Sequence, residues 1–247
     1  MYNCQPEAKS INLKSNNNQT ETNKNNYMKK IRLILMSALV LTLAACKSEP
    51  VRVACVGNSI TYGHGIQDRL NDAYPGVLGA MLGDKYEVRN FGVSGSTMMT
   101  GTDKPYMNEQ AYKDALEFCP DIVTIKLGTN DSKPYNWEES RHFKQDLKIL
   151  IESFGNLPSK PEIWLCLPVP AMGGAWNIND SVIFNGVIPY IKEVAQEEDL
   201  PVIDLYTPFQ GKREYFPDTI HPNEDGEKLI AEIIFDRIFA KKTIRNR

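Results

Sequence analysis

The sequence is poor in the residues that commonly form metal sites. Its 247 residues include three histidines and five cysteines, and no cysteine or histidine pair has the spacing that is typical of zinc ligands. Cys55, Cys119 and Cys166 lie in or beside apolar runs, which favours buried structural thiols. One disulfide among these three, with one free thiol left over, is also compatible with the sequence. No zinc site is indicated.

An excess of positive charge is also missing. The chain carries 28 Lys and Arg residues against 31 Asp and Glu residues. Residues 1–45 hold six of the basic and two of the acidic ones, so the remainder has 22 basic and 29 acidic residues and a formal net charge of −7. A protein that binds the phosphate backbone of nucleic acid normally has the opposite balance. The composition therefore predicts no nucleic-acid partner.

No hydrophobic run is long enough to predict a transmembrane helix. The run at residues 33–45 has about 13 residues, whereas a helix needs about 20 to span a bilayer. It follows the basic segment "MKKIR" and ends in Ala44-Ala45-Cys46, a pattern typical of a secretory signal peptide, with a short buried helix as the alternative. The segment "LAAC" resembles the lipobox of bacterial lipoproteins, in which the cysteine carries the lipid.

These features predict four segments along the chain. Residues 1–27 are rich in Asn, Lys, Gln and Thr and form a non-native or disordered extension, with translation starting at Met28. Residues 28–45 form a lipoprotein signal peptide, residues 46–50 a polar tether, and residues 51–247 one globular domain. We expect the protein to be exported and anchored to the bacterial cell envelope only through a lipid on Cys46.

Short apolar runs alternate with helical patterns through residues 51–247. Their near-continuous apolar character predicts strands that are covered on both faces of a parallel sheet. Apolar residues at three- and four-residue spacing predict helices at 74–82, from Asn136 onward with a cap formed by Asn136 and Glu139, and at 225–240. This alternation is typical of an open, doubly wound α/β sandwich, whose ligand site lies at the carboxyl ends of the strands. The predicted strands are residues 51–56, 86–91, 121–127, 161–167 and 201–205.

The first predicted strand ends in "GNS", which delivers Ser59 to a tight turn. A serine hydroxyl is a weak nucleophile until an oriented base, usually an imidazole, accepts its proton. Of the three histidines, His142 lies within a predicted helix and faces solvent, and His64 stands loosely between two glycines. His221 follows Asp218 by three residues, so one loop supplies both the base and the carboxylate that orients it. These patterns indicate Ser59, His221 and Asp218 as candidate catalytic residues.

Two further strand ends carry groups that can stabilise an oxyanion. The segment "NFGVSGST", residues 90–97, offers glycine N–H groups at 92–95, and "GTND", residues 128–131, offers the side-chain amide of Asn130. The N–H of Ser59 would be a third donor. Taken singly, Gly95 could be a turn glycine and Asn130 a capping residue, but the three strand ends together with the Asp218–His221 loop favour a catalytic site.

In order and spacing, these segments resemble the SGNH hydrolases, also called GDSL-type esterases, over residues 53–222. The resemblance implies a three-layer, flavodoxin-like α/β/α fold and neither a metal ion nor a cofactor. The family often has Asp before the nucleophile, where this chain has Asn58; an amide keeps hydrogen bonds but not the negative charge. The family's functional residues fall on the nucleophile Ser59, the oxyanion donors Gly95 and Asn130, and the pair Asp218 and His221.

The resemblance also implies a serine esterase that works through an acyl-enzyme. Aromatic side chains at Tyr135, Trp137 and Trp176 lie in segments that mix them with polar groups, which would suit sugar rings, with ordinary packing as the alternative for each. With the predicted export, this favours an O-acetylated carbohydrate, and the resemblance implies a sialate or polysaccharide ester in particular. A lysophospholipase or thioesterase and a non-catalytic carbohydrate-binding lipoprotein are alternatives. A nucleotide-binding flavodoxin-like module is disfavoured because no GxGxxG segment follows the first strand.

Overall fold

The computed structural model of the protein describes residues 24, 27–30 and 49–240. The chain divides into two compact units, Met1–Glu49 and Pro50–Arg247. In the first unit, residues 24 and 27–30 are helical and exposed, and Glu49 is exposed without regular secondary structure. Most of the predicted leader, together with Cys46, lies outside the described residues. Within the described part of the chain, no helix has the length and apolar character needed to cross a membrane.

A sheet of five parallel strands forms the centre of the second unit. The strand order is β2-β1-β3-β4-β5, so β1 and β3 lie in the middle and β2 and β5 at the edges. Each predicted strand is confirmed, with ends that shift by one or two residues. The strands are β1 Val51–Gly57, β2 Tyr86–Gly92, β3 Ile122–Lys126, β4 Glu162–Cys166 and β5 Val202–Ile203.

Helices connect the strands and cover both faces of the sheet. The helix predicted at 74–82 is confirmed, and the last helix is confirmed with a final turn of π-helix at Asp236–Ala240. A π-helical turn, Ile183–Val187, also joins two helices between β4 and β5. The α-helices are α1 Ser59–Tyr62, α2 Arg69–Asp72, α3 Tyr74–Leu82, α4 Gln110–Glu117, α5 Pro134–Trp137, α6 Phe143–Gly155, α7 Asp180–Val182, α8 Ile188–Glu197 and α9 Glu224–Phe235.

Two hydrophobic clusters lie on opposite faces of the sheet. Along β1, Val53 and Cys55 point to one face, where they join residues of α3 and α9. Ala54 and Val56 point to the other face, where they join residues of α4, α6 and α8. All four side chains are fully buried, as expected for a strand covered on both faces. The three-layer α/β/α sandwich that the sequence predicts is therefore confirmed.

The prediction that Asn136 caps a helix is wrong. Pro134 opens the short helix α5, which contains Asn136, because proline favours the first turn of a helix; the longer helix α6 begins only at Phe143. The side chain of Asn136 instead ties two loops together. Its Nδ2 donates to the carbonyl oxygen of Asn130 at 3.0 Å and to Oδ1 of Asp103 at 2.8 Å, and its Oδ1 accepts from the N–H of Asp103 at 3.1 Å.

Cys55, Cys119 and Cys166 are all free thiols. Cys55 and Cys166 are buried, as predicted, and burial raises the pKa of each thiol to about 12. The prediction of a buried thiol is wrong for Cys119, which is partly exposed and has a left-handed φ of 49° after α4. A hydrogen bond with Ser159 lowers the pKa of Cys119 below its usual value.

Candidate active site

The nucleophile predicted at Ser59 lies where β1 turns into α1 at the carboxyl edge of the sheet. Asn58 caps this short helix, because its Oδ1 accepts from the N–H of Ile60 at 3.1 Å. The turn is so tight that a Cβ atom added at Gly57 would lie 2.0 Å from Oγ1 of Thr61 and 2.8 Å from the carbonyl oxygen of Lys126. The absence of a side chain at Gly57 therefore lets β1 deliver the serine close to the next turn.

The structure brings Ser59, His221 and Asp218 into one hydrogen-bonded chain. Nε2 of His221 lies 2.9 Å from Oγ of Ser59, and Nδ1 of His221 lies 2.7 Å from Oδ2 of Asp218. Ser59 and Asp218 are 159 residues apart in sequence, and the sheet topology places both at the same edge. With Nδ1–H donating to the carboxylate, Nε2 has a lone pair directed at the serine hydroxyl.

A rigid turn fixes the position of His221. Oδ1 of Asp218 accepts from the N–H groups of Ile220 at 2.9 Å and His221 at 2.7 Å, while Oδ2 holds the imidazole. Two residues later, Asn223 caps α9, because its Oδ1 accepts from the N–H of Gly226 at 3.0 Å. The Asp218 carboxylate therefore stabilises the turn through Oδ1 and orients the imidazole through Oδ2.

The pKa values of this pair favour the charge state that proton transfer needs. Burial lowers the pKa of His221, against the opposing effect of the Asp218 carboxylate, so the ring is neutral and basic near pH 7. Burial raises the pKa of Asp218, but the N–H groups of His221 and Ile220 and the imidazole outweigh that effect. The pKa of Asp218 consequently falls below its usual value, and the carboxylate stays ionised.

The predicted oxyanion donors border the same cavity as Ser59. Gly95 has a left-handed φ of 83°, a conformation that glycine adopts without steric cost. The side-chain amide of Asn130 donates one hydrogen to the carbonyl oxygen of Ser96 at 3.0 Å, so a second amide hydrogen is left to donate. The cavity has a volume of about 270 Å³ and is lined by Ser59, His64, Ser94, Gly95, Asn130, Lys133, Trp176, Ile178 and His221.

Asp131 supports the oxyanion loop, a role that the sequence analysis missed. Its carboxylate is fully buried and accepts from the N–H groups of Met98 and Met99 at 2.9 Å. Burial raises the pKa of Asp131 to about 6, although these hydrogen bonds oppose the rise. The "GTND" segment marks Asp131 as a polar residue at a strand end, but no signal in the sequence indicates its partners more than 30 residues away.

Besides Asp131, a buried pair of ionisable residues lies beneath the catalytic edge, and this pair was not predicted. Lys126, at the end of β3, and Glu227, on α9, are both almost fully buried. Burial lowers the pKa of Lys126 and raises that of Glu227, while the attraction between the two charges opposes both shifts. Oε2 of Glu227 accepts from the N–H of Tyr74 at 2.8 Å, which ties α9 to α3. The positive charge of Lys126 also contributes to the low pKa of His221.

The three aromatic residues expected to contact sugar rings have different environments. Trp176 is 53% exposed and borders the cavity, with its ring centroid 5.1 Å from that of His221. Tyr135 is exposed, and its hydroxyl lies 3.4 Å from a carboxylate oxygen of Asp103. The ring of Trp137 stacks on Tyr190 at a centroid distance of 5.8 Å and is packed against the hydrophobic core. Trp137 is partly buried and therefore has the ordinary packing role that was the alternative to a sugar contact.

His64 and His142 both differ from His221 in their partners. The side chain of His142 is 45% exposed beside Glu139, as expected for a solvent-facing residue. His64 is also exposed, but it is not remote from the site, because its ring centroid lies 4.2 Å from that of His221. His64 therefore forms part of the wall around the candidate base.

One group of side chains has ligand atoms close enough to hold a metal ion. In the described part of the chain, His64, Asp218 and His221 have ligand atoms within 4.8 Å of one another. Both ring nitrogens of His221 are already engaged, one with Asp218 and one with Ser59. A metal ion on His221 would have to displace one of these partners, so the arrangement suits proton transfer better than metal binding.

Comparison with known proteins gives a consistent result. The sequence model of the GDSL-like Lipase/Acylhydrolase family matches residues 55–229. An acetylxylan esterase from Xylanibacter ruminicola is 46% identical over 211 residues, which cover 78% of this chain and 44% of that protein. The chain thus spans less than half the length of this curated relative.

Solved structures with the same fold include two esterases. One is a two-domain esterase active on acetylated mannans, co-crystallised with mannopentaose. It has a TM-score of 0.60 at 23% identity, over 85% of this chain and 55% of that one. The other is an acetyl xylan esterase with a TM-score of 0.59 at 18% identity, over 76% of this chain and 100% of that one. At these identities, the similarity shows the fold alone.

Proposed function

This chain belongs to the GDSL-like lipase/acylhydrolase family, and we propose that it is a serine esterase that removes acetyl groups from acetylated carbohydrate. The observation that carries the proposal is the continuous hydrogen-bonded chain from Ser59 Oγ through His221 to Asp218, with distances of 2.9 and 2.7 Å. A nucleophile, a base and a group that orients the base are the parts that acyl transfer to serine requires.

The first half-reaction forms an acyl-enzyme. Nε2 of His221 accepts the hydroxyl proton of Ser59 as Oγ attacks the carbonyl carbon of the ester. The resulting imidazolium is stabilised by the ionised Asp218. When the tetrahedral intermediate collapses, the carbon–oxygen bond to the alcohol breaks and His221 gives its proton to the departing oxygen.

The oxyanion of the tetrahedral intermediate needs donors that are already in position. We assign this role to the N–H groups of Ser59 and Gly95 and to the free amide hydrogen of Asn130. Water then attacks the acetyl-enzyme, with His221 again accepting a proton, and the same donors stabilise the second intermediate. Acetate leaves, and the proton returns to Ser59.

Two features support a small acyl group on a sugar. The cavity beside Ser59 has about 270 Å³, below the roughly 300–1,000 Å³ of sites that enclose a drug-sized ligand, which suits acetyl better than a long acyl chain. Trp176 presents its ring at the cavity although its backbone φ of 52°, like the φ of 60° at Asn177, is left-handed. Strain of this kind persists where the surrounding structure holds a residue in place. The relatives named for acetylated xylan and mannan support the same substrate class.

A series of 4-nitrophenyl esters tests this function. We expect kcat/KM to be highest for the acetate and to fall by at least about tenfold for the octanoate, because a cavity of about 270 Å³ leaves little room for added methylenes beside the alcohol half of the ester. Acetate should also be released from acetylated xylan, measured by an enzyme-coupled assay. A preference for octanoate would instead indicate a lysophospholipase or thioesterase. No turnover, with no labelling by a serine-directed fluorophosphonate, would indicate a binding protein.

We propose in addition that residues 28–45 direct export and that Cys46 carries a lipid that anchors the domain to the cell envelope. The support is the sequence pattern of a basic segment, an apolar run and "LAAC". In a bacterial host fed labelled palmitate, the full chain should take up label and sediment with membranes. Cys46→Ser should abolish both, whereas Cys119→Ser, as a matched control, should change neither. Unchanged fractionation of Cys46→Ser would contradict the anchor.

A further inference from the structure

We propose that a second cavity, on the far side of His221 from the oxyanion donors, binds the neutral sugar ring next to the acetylated one. The inference rests on the proposed function and deepens it, since it assigns an extended, uncharged glycan as the substrate. This cavity is formed by the segments 64–66 and 217–225 and has a volume of about 230 Å³.

The two cavities meet at a shared wall. His64 and His221 line both the cavity of about 230 Å³ and the one of about 270 Å³ that contains Ser59. Each alone is smaller than the roughly 300–1,000 Å³ typical of small-molecule sites, whereas together they fall within that range. The candidate base therefore lies in the middle of one cleft rather than at its end.

The chemistry of the reaction decides which part of the substrate enters the second cavity. The oxyanion and acyl group are held on the side of Gly95 and Asn130, which line only the cavity around Ser59. The leaving oxygen must lie within hydrogen-bond reach of Nε2 of His221 to receive its proton. The alcohol half of the ester therefore lies against His221, and a longer alcohol extends past the ring into the second cavity.

The side chains of the second cavity indicate a neutral, hydroxyl-rich ligand. Glu224 and Asp225, which are exposed in the first turn of α9, border it and offer carboxylate oxygens as acceptors. Among the described residues that line it, none is a lysine or an arginine. Sugar hydroxyls can donate to these carboxylates, whereas a uronate or sialate carboxylate would be repelled by them.

His64 and Trp176 provide an apolar path between the two cavities. The His64 ring lies 4.2 Å from the ring of His221 and 6.2 Å from the ring of Trp176, centroid to centroid. Both His64 and Trp176 are exposed. Rings arranged along a cleft in this way can contact the apolar faces of consecutive sugars, while the carboxylates at the far end bind hydroxyls.

The test compares substrates that do and do not reach the second cavity. The full chain is assayed with 4-nitrophenyl acetate, mono-acetylated xylose, mono-acetylated xylotriose and an acetylated xylotriose that carries a glucuronate. We expect kcat/KM to be about tenfold higher for acetylated xylotriose than for acetylated xylose. The glucuronate-bearing substrate should lose that advantage. This comparison needs only the wild-type chain.

A paired variant then locates the effect. Glu224→Gln with Asp225→Asn should reduce the advantage of xylotriose about three- to tenfold and improve turnover of the glucuronate-bearing substrate, with the rate on 4-nitrophenyl acetate within about twofold of wild type. Glu232→Gln, on the same helix but outside the cavity, is the matched control and should change none of these ratios. The subsite is contradicted if the xylotriose-to-xylose ratio is near one, or if the paired variant leaves it unaltered. No hydrolysis of any ester, 4-nitrophenyl acetate included, would instead overturn the proposed function itself.

Discussion

Replacing Ser59 by alanine should lower kcat for 4-nitrophenyl acetate by about 10⁶-fold, because loss of a nucleophile leaves only the oxyanion donors and substrate binding to promote attack by water. The side chain of Ser59 is small, and its backbone carries the turn into α1. We therefore expect the variant to fold, with its melting temperature close to that of wild type. Steady-state kinetics and thermal unfolding of the same preparations check both expectations.

A matched serine variant separates the nucleophile from a general effect of serine loss. Ser140→Ala, in the loop before α6, should retain activity within about threefold, since Ser140 is not among the residues that line the cavity around Ser59. A serine-directed fluorophosphonate should label wild type and Ser140→Ala but not Ser59→Ala. If Ser59→Ala kept more than a small fraction of the wild-type rate, a different residue would have to be the nucleophile.

Asp218→Asn should lower kcat by about 10⁴-fold while leaving the fold intact. The amide oxygen can still accept from the N–H groups of Ile220 and His221, which preserves the turn. The amide NH₂ would then face Nδ1 of His221, which lies 2.7 Å from the carboxylate in the wild-type chain. The ring would have to accept at Nδ1 and carry its proton on Nε2, and this tautomer cannot take the proton of Ser59.

The substitution should act on turnover rather than on binding. We expect KM for 4-nitrophenyl acetate to change less than about threefold, since Asp218 contacts the base and not the ester. Asp84→Asn, on an exposed turn before β2, is the matched control and should behave as wild type. If Asp218→Asn kept as much activity as Asp84→Asn, orientation of the His221 ring would not depend on the carboxylate.

The fold was predictable because its signal is repeated along the chain. Each strand in the structure coincides with an apolar run in the sequence, and parallel pairing follows from the helices that separate them. The candidate site was predictable for a related reason. In a parallel sheet, all carboxyl ends lie at one edge, so Ser59, Gly95, Asn130 and the Asp218 loop could be expected to converge before any distance was known.

The remaining features depend on contacts that leave no periodic signal. The pairing of Asp131 with the N–H groups of Met98 and Met99 joins two loops whose separation in sequence is arbitrary. The sequence likewise gives no signal that Lys126, at the end of β3, interacts with Glu227 on α9, although both side chains are almost fully buried. The sequence left two roles open for Trp137, because an aromatic residue near a polar segment has the same appearance in sequence whether it faces a cleft or the core.

The close approach at the nucleophile turn has a consequence for which substitutions this chain can tolerate. A Cβ atom at Gly57 would overlap Thr61, and one at Gly92 would lie 2.2 Å from the backbone nitrogen of Tyr62. Neither glycine carries a reactive group. In a saturation-mutagenesis screen for esterase activity, both positions should nevertheless be as intolerant of alanine as the reactive residues are. Gly57 and Gly92 are thus constrained by the space that the turn after Ser59 occupies, and not by any chemical group of their own.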